Sequence, residues 1–478
     1  MSEFITLHIG TAGVGLTEAA SQQYCLEHGL GPDGKPLDSM QGPLHPGGLK
    51  SVFRELPSGK FAPRSLLLDL DHDAADIFLR RSPYRGLFSK ETSCVLGKNG
   101  GCWQTRARWS TGKEIAQEAI DAIRHQAEAC NTFRGCQIIH SLVGGTGSGL
   151  TSLMLERLTS QFGSKLYTVT FSLAPSRTDD YLSAVNFVLT NNTLVEHCAL
   201  SVFMDNTACA SLWRRYVGER NPMMPQINEL IAHVIANFTS PMRLMKGPDF
   251  LAAITNLVPY PRIHNVLPTV AGLLPAARAG RQEKECLVEI TKQLLSPYHV
   301  MLEDGKGLKK AGHIAMVPVY RGALITSEAA VSSLLQRLVF YPTRFDLQIG
   351  DIVPLSAPSV GPVDYVGTGC LPAVVSASRP SVLLPHVCQS GVAYHNSCVI
   401  QEMLTRIAHN FDLMYSKRAF IHWYIGEGME SGEFSCARED MAALKKDYEV
   451  VAAQSQQDWN SSSSVTQKGG GINFGWLH

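Results

Sequence analysis

The segment VGGTGSGLTS, Val143 to Ser152, places four glycines and four hydroxyl-bearing residues in ten positions. Glycine costs a folded segment conformational entropy, so such a run needs a backbone reason. It follows the strand-like stretch CQIIHSL and leads into Leu150, Leu153, Met154 and Leu158 at helical spacing. At a strand-to-helix junction, unpaired backbone N–H groups and the positive end of the helix dipole favour an anion. Thr146 and Ser148 add hydroxyl donors, which suits a phosphate. The alternative is a tight turn that only lets the helix pack closely. The spacing matches neither the dinucleotide fingerprint in its usual place nor the lysine-bearing P-loop.

A second glycine turn, Gly10 to Gly15, follows the first apolar run, and LLLDLDHD ends another with Asp69 and Asp71. Alternate carboxylates at a strand end could hold Mg²⁺ beside a polyphosphate, or could merely end the strand and cap a helix. Two glycine turns and a carboxylate pair at one sheet edge point to a nucleoside polyphosphate.

These residues need a scaffold. Phe4 to Ile9, Ser65 to Leu70, Gln137 to Leu142, Leu166 to Ser172 and Leu200 to Met204 read as strands. Ile115, Ala119, Ile120, Ile123 and Ala127 form a helical stripe that Thr111 and Glu114 are placed to open with a capping box. Strand and helix alternate, which predicts an α/β fold with a parallel sheet and helices on both faces. Ile227 to Phe238 predicts a long buried helix, and a further helix is expected between Pro248 and Pro259.

After about residue 265 shorter mixed elements suggest a second α+β domain, with strands at His313 to Tyr320 and Val382 to Val387 and a long loop over Val353 to Pro380. Helical spacing returns from Glu427 to Val451, and the polar stretch Gln454 to His478 is expected to be disordered. The division expected is 1–240, 241–380, 381–453 and 454–478.

Lys plus Arg and Asp plus Glu both number 42, so no global field draws the chain to nucleic acid or anionic lipid. No run of 18 apolar residues and no basic, apolar leader is present. The 12 cysteines form no CxxC pair, which fits reduced thiols and a cytoplasmic protein.

GGTGSG followed by LTSLMLERL resembles the phosphate-binding signature of the tubulin family. YCLEHGLGPDG, TNLVPYPRIH and FDLMYSKRAFIHWYIGEGMESGEF resemble its alpha-type members. The resemblance implies a Rossmann-like GTP-binding domain, an α+β intermediate domain and a C-terminal helical hairpin. It implies GTP and Mg²⁺ as cofactors, with Asp69 and Asp71 toward the metal. Thr11 and Ala12 would lie at the nucleotide, Ser141, Gly144, Gly145, Thr146 and Gly147 would cradle phosphates, Asn206 and Asn228 would lie near ribose and guanine, and Thr178 and Asp179 are candidate substitutes for a ribose-loop carboxylate. It further implies pairing with beta-tubulin, neighbouring tubulins in a microtubule, and a place in the cytoplasm and cytoskeleton.

The pattern departs in places. Thr11 replaces a glutamine, Val143 a glycine, Asp71 a glutamate, Ser183 a ribose-loop glutamate and Met224 the tyrosine that stacks on guanine. The loop KNGGCWQTR has lost its carboxylate. The glutamate by which alpha-tubulins activate water on the next beta subunit falls on Ala252 in a segment two residues shorter. Asp249 is the nearby carboxylate. From Gln454 onward the only formally charged side chains are Asp458 and Lys468, which implies weakened tail-mediated binding of motors and associated proteins. The expectation is a GTP-binding subunit with impaired GTPase activation. The alternatives are a nonpolymerising scaffold or cap, and an active GTPase using Asp249.

Overall fold

The computed structural model of the chain describes residues 2–37, 46–163, 166–177, 179–244, 250–272, 287–307, 313–322, 348–349, 353–355 and 389–466. Its strands are β1 (Glu3–Ile9), β2 (Phe53–Glu55), β3 (Phe61–Pro63), β4 (Ser65–Asp69), β5 (Cys94–Leu96), β6 (Phe133–Ser141) and β7 (Tyr167–Leu173). They continue as β8 (Leu200–Met204), β9 (Asn265–Ala271), β10 (His313–Gly322), β11 (Gln348–Ile349), β12 (Val353–Leu355) and β13 (Gln389–Ser397).

One sheet runs in the order β11-β10-β13-β9-β8-β7-β6-β1-β4-β5, with β12 also on β10. From β5 to β9 every pairing is parallel. β13 then enters antiparallel between β9 and β10. The mixed part thus joins the parallel part through Ser201↔Asn265 and Val202↔Val266.

All seven residues of β1 are buried, as a central strand covered on both faces requires. Its side chains alternate between two cores. Phe4 joins Leu67, Ile139 and Phe171 on one face, beneath Leu230, Ile231 and Val234 of the helix Met224–Leu244. Ile5, Leu7 and Ile9 join Leu66, Leu68 and Ile138 on the other, beneath the helices Thr111–Glu128 and Gly145–Phe162. The helices Ile400–Ser416 and Gly432–Thr466 extend that second core through Met403, Leu404, Phe434 and Leu444.

Three expectations change. The helix at Thr111 has no capping box, because Arg106–Ser110 forms a π-helical turn that leads straight into it, and the Thr111 hydroxyl donates to Arg106 O at 3.2 Å. Within the expected loop over Val353 to Pro380, Val353–Leu355 pairs as β12; Val382 to Val387 and the rest of the loop lie outside the described residues. The last helix continues to Thr466, past the expected start of disorder at Gln454; Ala452, Ala453, Gln454, Gln456 and Gln457 are good helix formers that carry it through Gln457, and helix propensity does not explain the turns from Asp458 to Thr466. No helix among the described residues is long and apolar enough to cross a membrane.

Candidate functional site

A cavity of about 940 Å³ opens where β1, β4, β6, β7 and β8 end and their following segments begin. This is where an open parallel sheet receives ligands. The two glycine turns meet here. Gly10 has φ +73°, and a Cβ on it would lie 2.9 Å from Gly147 N. A Cβ on Gly147 would lie 2.7 Å from Ser141 O. Glycine is required at both because backbone packs on backbone.

Gly144 is the N-cap of the helix Gly145–Phe162, and the helical ladder begins with Ser148 N donating to Gly144 O at 3.2 Å. The N–H groups of Gly145, Thr146 and Gly147 precede that bond, and all three residues line the cavity. Ser148 does not join them: its hydroxyl donates to Gly144 O at 2.6 Å and Gly145 O at 3.1 Å. A helical serine reaches the carbonyl one turn back more readily than a ligand ahead of it.

Thr11, Ala12, Ser141, Gly144, Gly145, Thr146 and Gly147 all line the cavity, as do Asn206 and Asn228. Asn206 Oδ1 is a buried acceptor with no partner among the described residues. Asn228 Nδ2 donates to Gly15 O at 3.1 Å, leaving its own oxygen as acceptor. Both amides thus offer oxygens to a donor such as a ribose hydroxyl or a guanine N–H. Met224 lines the same wall, half exposed, with no aromatic ring. Ser183 is buried outside the cavity lining, while Asp179 lies within it. Thr178 and Asp249 lie outside the described residues. Ala252 falls in the helix Phe250–Leu257.

The carboxylate pair divides. Asp71 lines the cavity and accepts from Gly100 N at 3.0 Å through Oδ1, which leaves Oδ2 as its other acceptor. Asp69 is fully buried behind it. It accepts from Leu70 N at 2.8 Å, Asp71 N at 3.3 Å and the Thr11 hydroxyl at 3.5 Å. Burial pushes its pKa up to about 6. Asp69 therefore positions Thr11 and Asp71, and a metal here would draw on Asp71 together with ligand phosphates and water.

Beneath each glycine turn sits a buried histidine that the sequence reading missed. His8 Nδ1 donates to Gly13 O at 3.1 Å, and His140 Nδ1 donates to Gly147 O at 3.0 Å. A carbonyl can only accept, so Nδ1 carries the proton, and His140 Nε2 accepts from Ser172 Oγ at 2.7 Å. Burial lowers both pKa values to about 4.

Because the unfolded chain takes up these protons near pH 6.5, each histidine contributes stability above pH 6.5 that is lost as pH falls toward 4. Asp69 and Asp205, both raised to about 6, have the opposite sign, with stability lost as pH rises from 3.8 through 6. Comparing one variant with wild type isolates one group. His140→Gln keeps an N–H donor, and it is expected to make the acid loss of stability shallower by about 1.4 kcal/mol per pH unit between pH 6.5 and 4. Denaturant unfolding at several pH values measures it, and parallel slopes would refute the assignment.

A family model for the Tubulin/FtsZ family, GTPase domain, matches residues 3–213. The chain is 35% identical to the tubulin alpha-1 chain of Schizosaccharomyces pombe, over 96% of this chain and 98% of that one. It is 37% identical to the tubulin alpha chain of Pneumocystis carinii and 37% identical to that of Colletotrichum orbiculare, in each case over 95% of this chain and 98% of the relative. With matches of this extent and a glycine-turn cavity in the matched region, the chain belongs to the tubulin family, as a divergent member of its alpha class.

Proposed function

We propose that this chain is a tubulin subunit that holds GTP with Mg²⁺ in the cavity, pairs with beta-tubulin and enters microtubules of the cytoplasm. The observation that carries the reading is a pair of features at one wall: the helix N-terminus at Gly145 to Gly147, whose N–H groups precede the helical ladder, and the buried oxygen of Asn206, which has no partner among the described residues. Phosphate oxygens match the former, and a ribose or base donor matches the latter. Asp71 and the phosphates would together hold Mg²⁺, whose positive charge offsets the clustered anionic oxygens. Thr11, held by Asp69, turns a hydroxyl-bearing residue to the same wall.

The chain is further proposed to leave the GTP of the following beta subunit uncleaved, since Ala252 carries no group able to orient or deprotonate water. A tail with so few charges would draw cationic partners weakly.

The test is the nucleotide released on denaturation of protein purified alone and with beta-tubulin, identified by chromatography. Stoichiometric GTP is expected, and an empty site would favour a scaffold or cap that does not polymerise. A chemical probe lies in the cavity itself. Cys102 is exposed and lines it, whereas the exposed Cys436 lies on the helix Gly432–Thr466. GTP at a hundred times its Kd leaves about 1% of sites free, so Cys102 alkylation by iodoacetamide is expected to slow about a hundredfold while Cys436 is unaffected. Equal rates with and without GTP would place the nucleotide elsewhere.

A further inference from the structure

Asn186, on the helix Tyr181–His197, is 1% exposed and uses its whole hydrogen-bonding capacity. Nδ2 donates to Cys102 O at 3.0 Å and to Val143 O at 2.8 Å. Oδ1 accepts from Gln104 N at 3.2 Å and from the Tyr424 hydroxyl at 2.8 Å. The amide orientation follows from the partners, since two are carbonyls and two are donors. Cys102 belongs to the loop that forms one wall of the cavity, and Val143 opens the glycine turn that forms the next. Tyr424 belongs to the C-terminal helix Ile421–Gly426.

The same loop is gripped from outside. Trp103, next to Cys102, stacks on Trp423 with centroids 6.1 Å apart and planes 11° apart, and meets Tyr424 edge-on at 5.3 Å. One face of the loop therefore lines the cavity while the adjacent side chain packs on the C-terminal segment.

We infer that Asn186 is the positioning residue of the phosphate site, and that Tyr424 couples this site to the C-terminal helices. The inference rests on the reading of the cavity as a nucleotide site only for its consequence on GTP. The coupling itself is a property of the loop. An amide at this position fixes the spacing between the loop and the glycine turn, because each is bonded to one N–H of the same planar group. Coupling is reciprocal, so whatever orders the loop in the cavity also orders the Trp103–Trp423 stack.

Two variants test it. Asn186→Asp keeps both acceptor bonds but sets a carboxylate oxygen against Cys102 O and Val143 O. Tyr424→Phe removes a single hydroxyl and leaves the ring in the core. In nucleotide-free protein, Cys102 alkylation is expected to quicken about threefold in Tyr424→Phe and about tenfold in Asn186→Asp. GTP retention is expected to weaken by similar factors, and the near-UV circular dichroism change on GTP release, which reports the tryptophan stack, is expected to shrink in Tyr424→Phe. Cys436 alkylation, unchanged in both, shows that the fold persists.

Should Asn186→Asp fail to fold, the Tyr424→Phe arm decides alone. Alkylation within twofold of wild type in Tyr424→Phe would overturn the coupling. A wild-type protein that retains no GTP would instead overturn the nucleotide reading, and the alkylation rates would still decide the role of Asn186 and Tyr424.

Discussion

Ala252→Glu is expected to raise phosphate release on co-assembly with beta-tubulin by roughly 10²- to 10⁴-fold, the contribution of a positioned general base. The wild-type helix Phe250–Leu257 presents Leu251 and Thr255, one turn apart, on an exposed face, with the Thr255 hydroxyl bonded back to Leu251 O at 2.8 Å. Neither is a base. Ala252→Glu supplies a carboxylate at the position proposed above for the water-activating group, and Leu251→Glu places the same charge one residue earlier as a control.

A gain for Ala252→Glu alone would identify the position and support the proposal that the wild-type chain leaves the neighbouring GTP uncleaved. Equal rates in Ala252→Glu and wild type would refute the assignment. Fast release by wild type, abolished in Asp249→Ala, would transfer the role to Asp249.

Where chemistry follows from main-chain geometry, the sequence was a good guide. Short apolar runs and glycine-rich junctions correctly anticipated β1, β4, β6, β7 and β8, and the approach of Gly10 to Gly147 follows from parallel strands ending at one edge. Side-chain partnerships were less visible. Alternate carboxylates at a strand end look alike in sequence, yet Asp69 is consumed by Leu70 N, Asp71 N and Thr11, and only Asp71 reaches the cavity.

Asn186 left no local signal, because its partners lie 82, 84, 43 and 238 residues away. β13 was missed because polar residues break up the apolar run in QSGVAYHNS, although Ser390 to Ser397 are all buried. Its His395 is bonded to Thr269 at 2.9 Å, and Asn396 donates to Leu257 O and Ile263 O. Hydrophobic periodicity detects runs of apolar side chains, and here the buried Val392, Ala393 and Tyr394 are flanked by buried polar residues whose hydrogen bonds are long-range and leave no local pattern.

Arg243→Met is expected to destabilise the protein by about 3–5 kcal/mol. Arg243 and Glu27 form an ion pair with both side chains wholly buried. The guanidinium also donates to Thr239 Oγ1 at 2.8 Å, to Ala236 O at 2.6 Å and to His28 Nε2 at 3.2 Å, and lies 4.6 Å from the Tyr24 ring centroid. Arginine cannot accept, so His28 is held neutral at that nitrogen. Methionine fills part of the volume but leaves Glu27 charged and buried, with Gln23 Nε2 at 2.8 Å as a weak neutral substitute.

Removing both charges separates the two contributions: Arg243→Met with Glu27→Leu is expected to recover most of the loss, since a buried pair seldom outperforms apolar packing of similar volume. Chemical denaturation measures both, and a single variant within 1 kcal/mol of wild type would show that the carboxylate finds water or a proton. The helix that carries Arg243 near its C-terminal end carries Met224 and Asn228 at the cavity. If the pair anchors that helix as a unit, the single variant also loses GTP in proportion to its stability, and the double variant regains it.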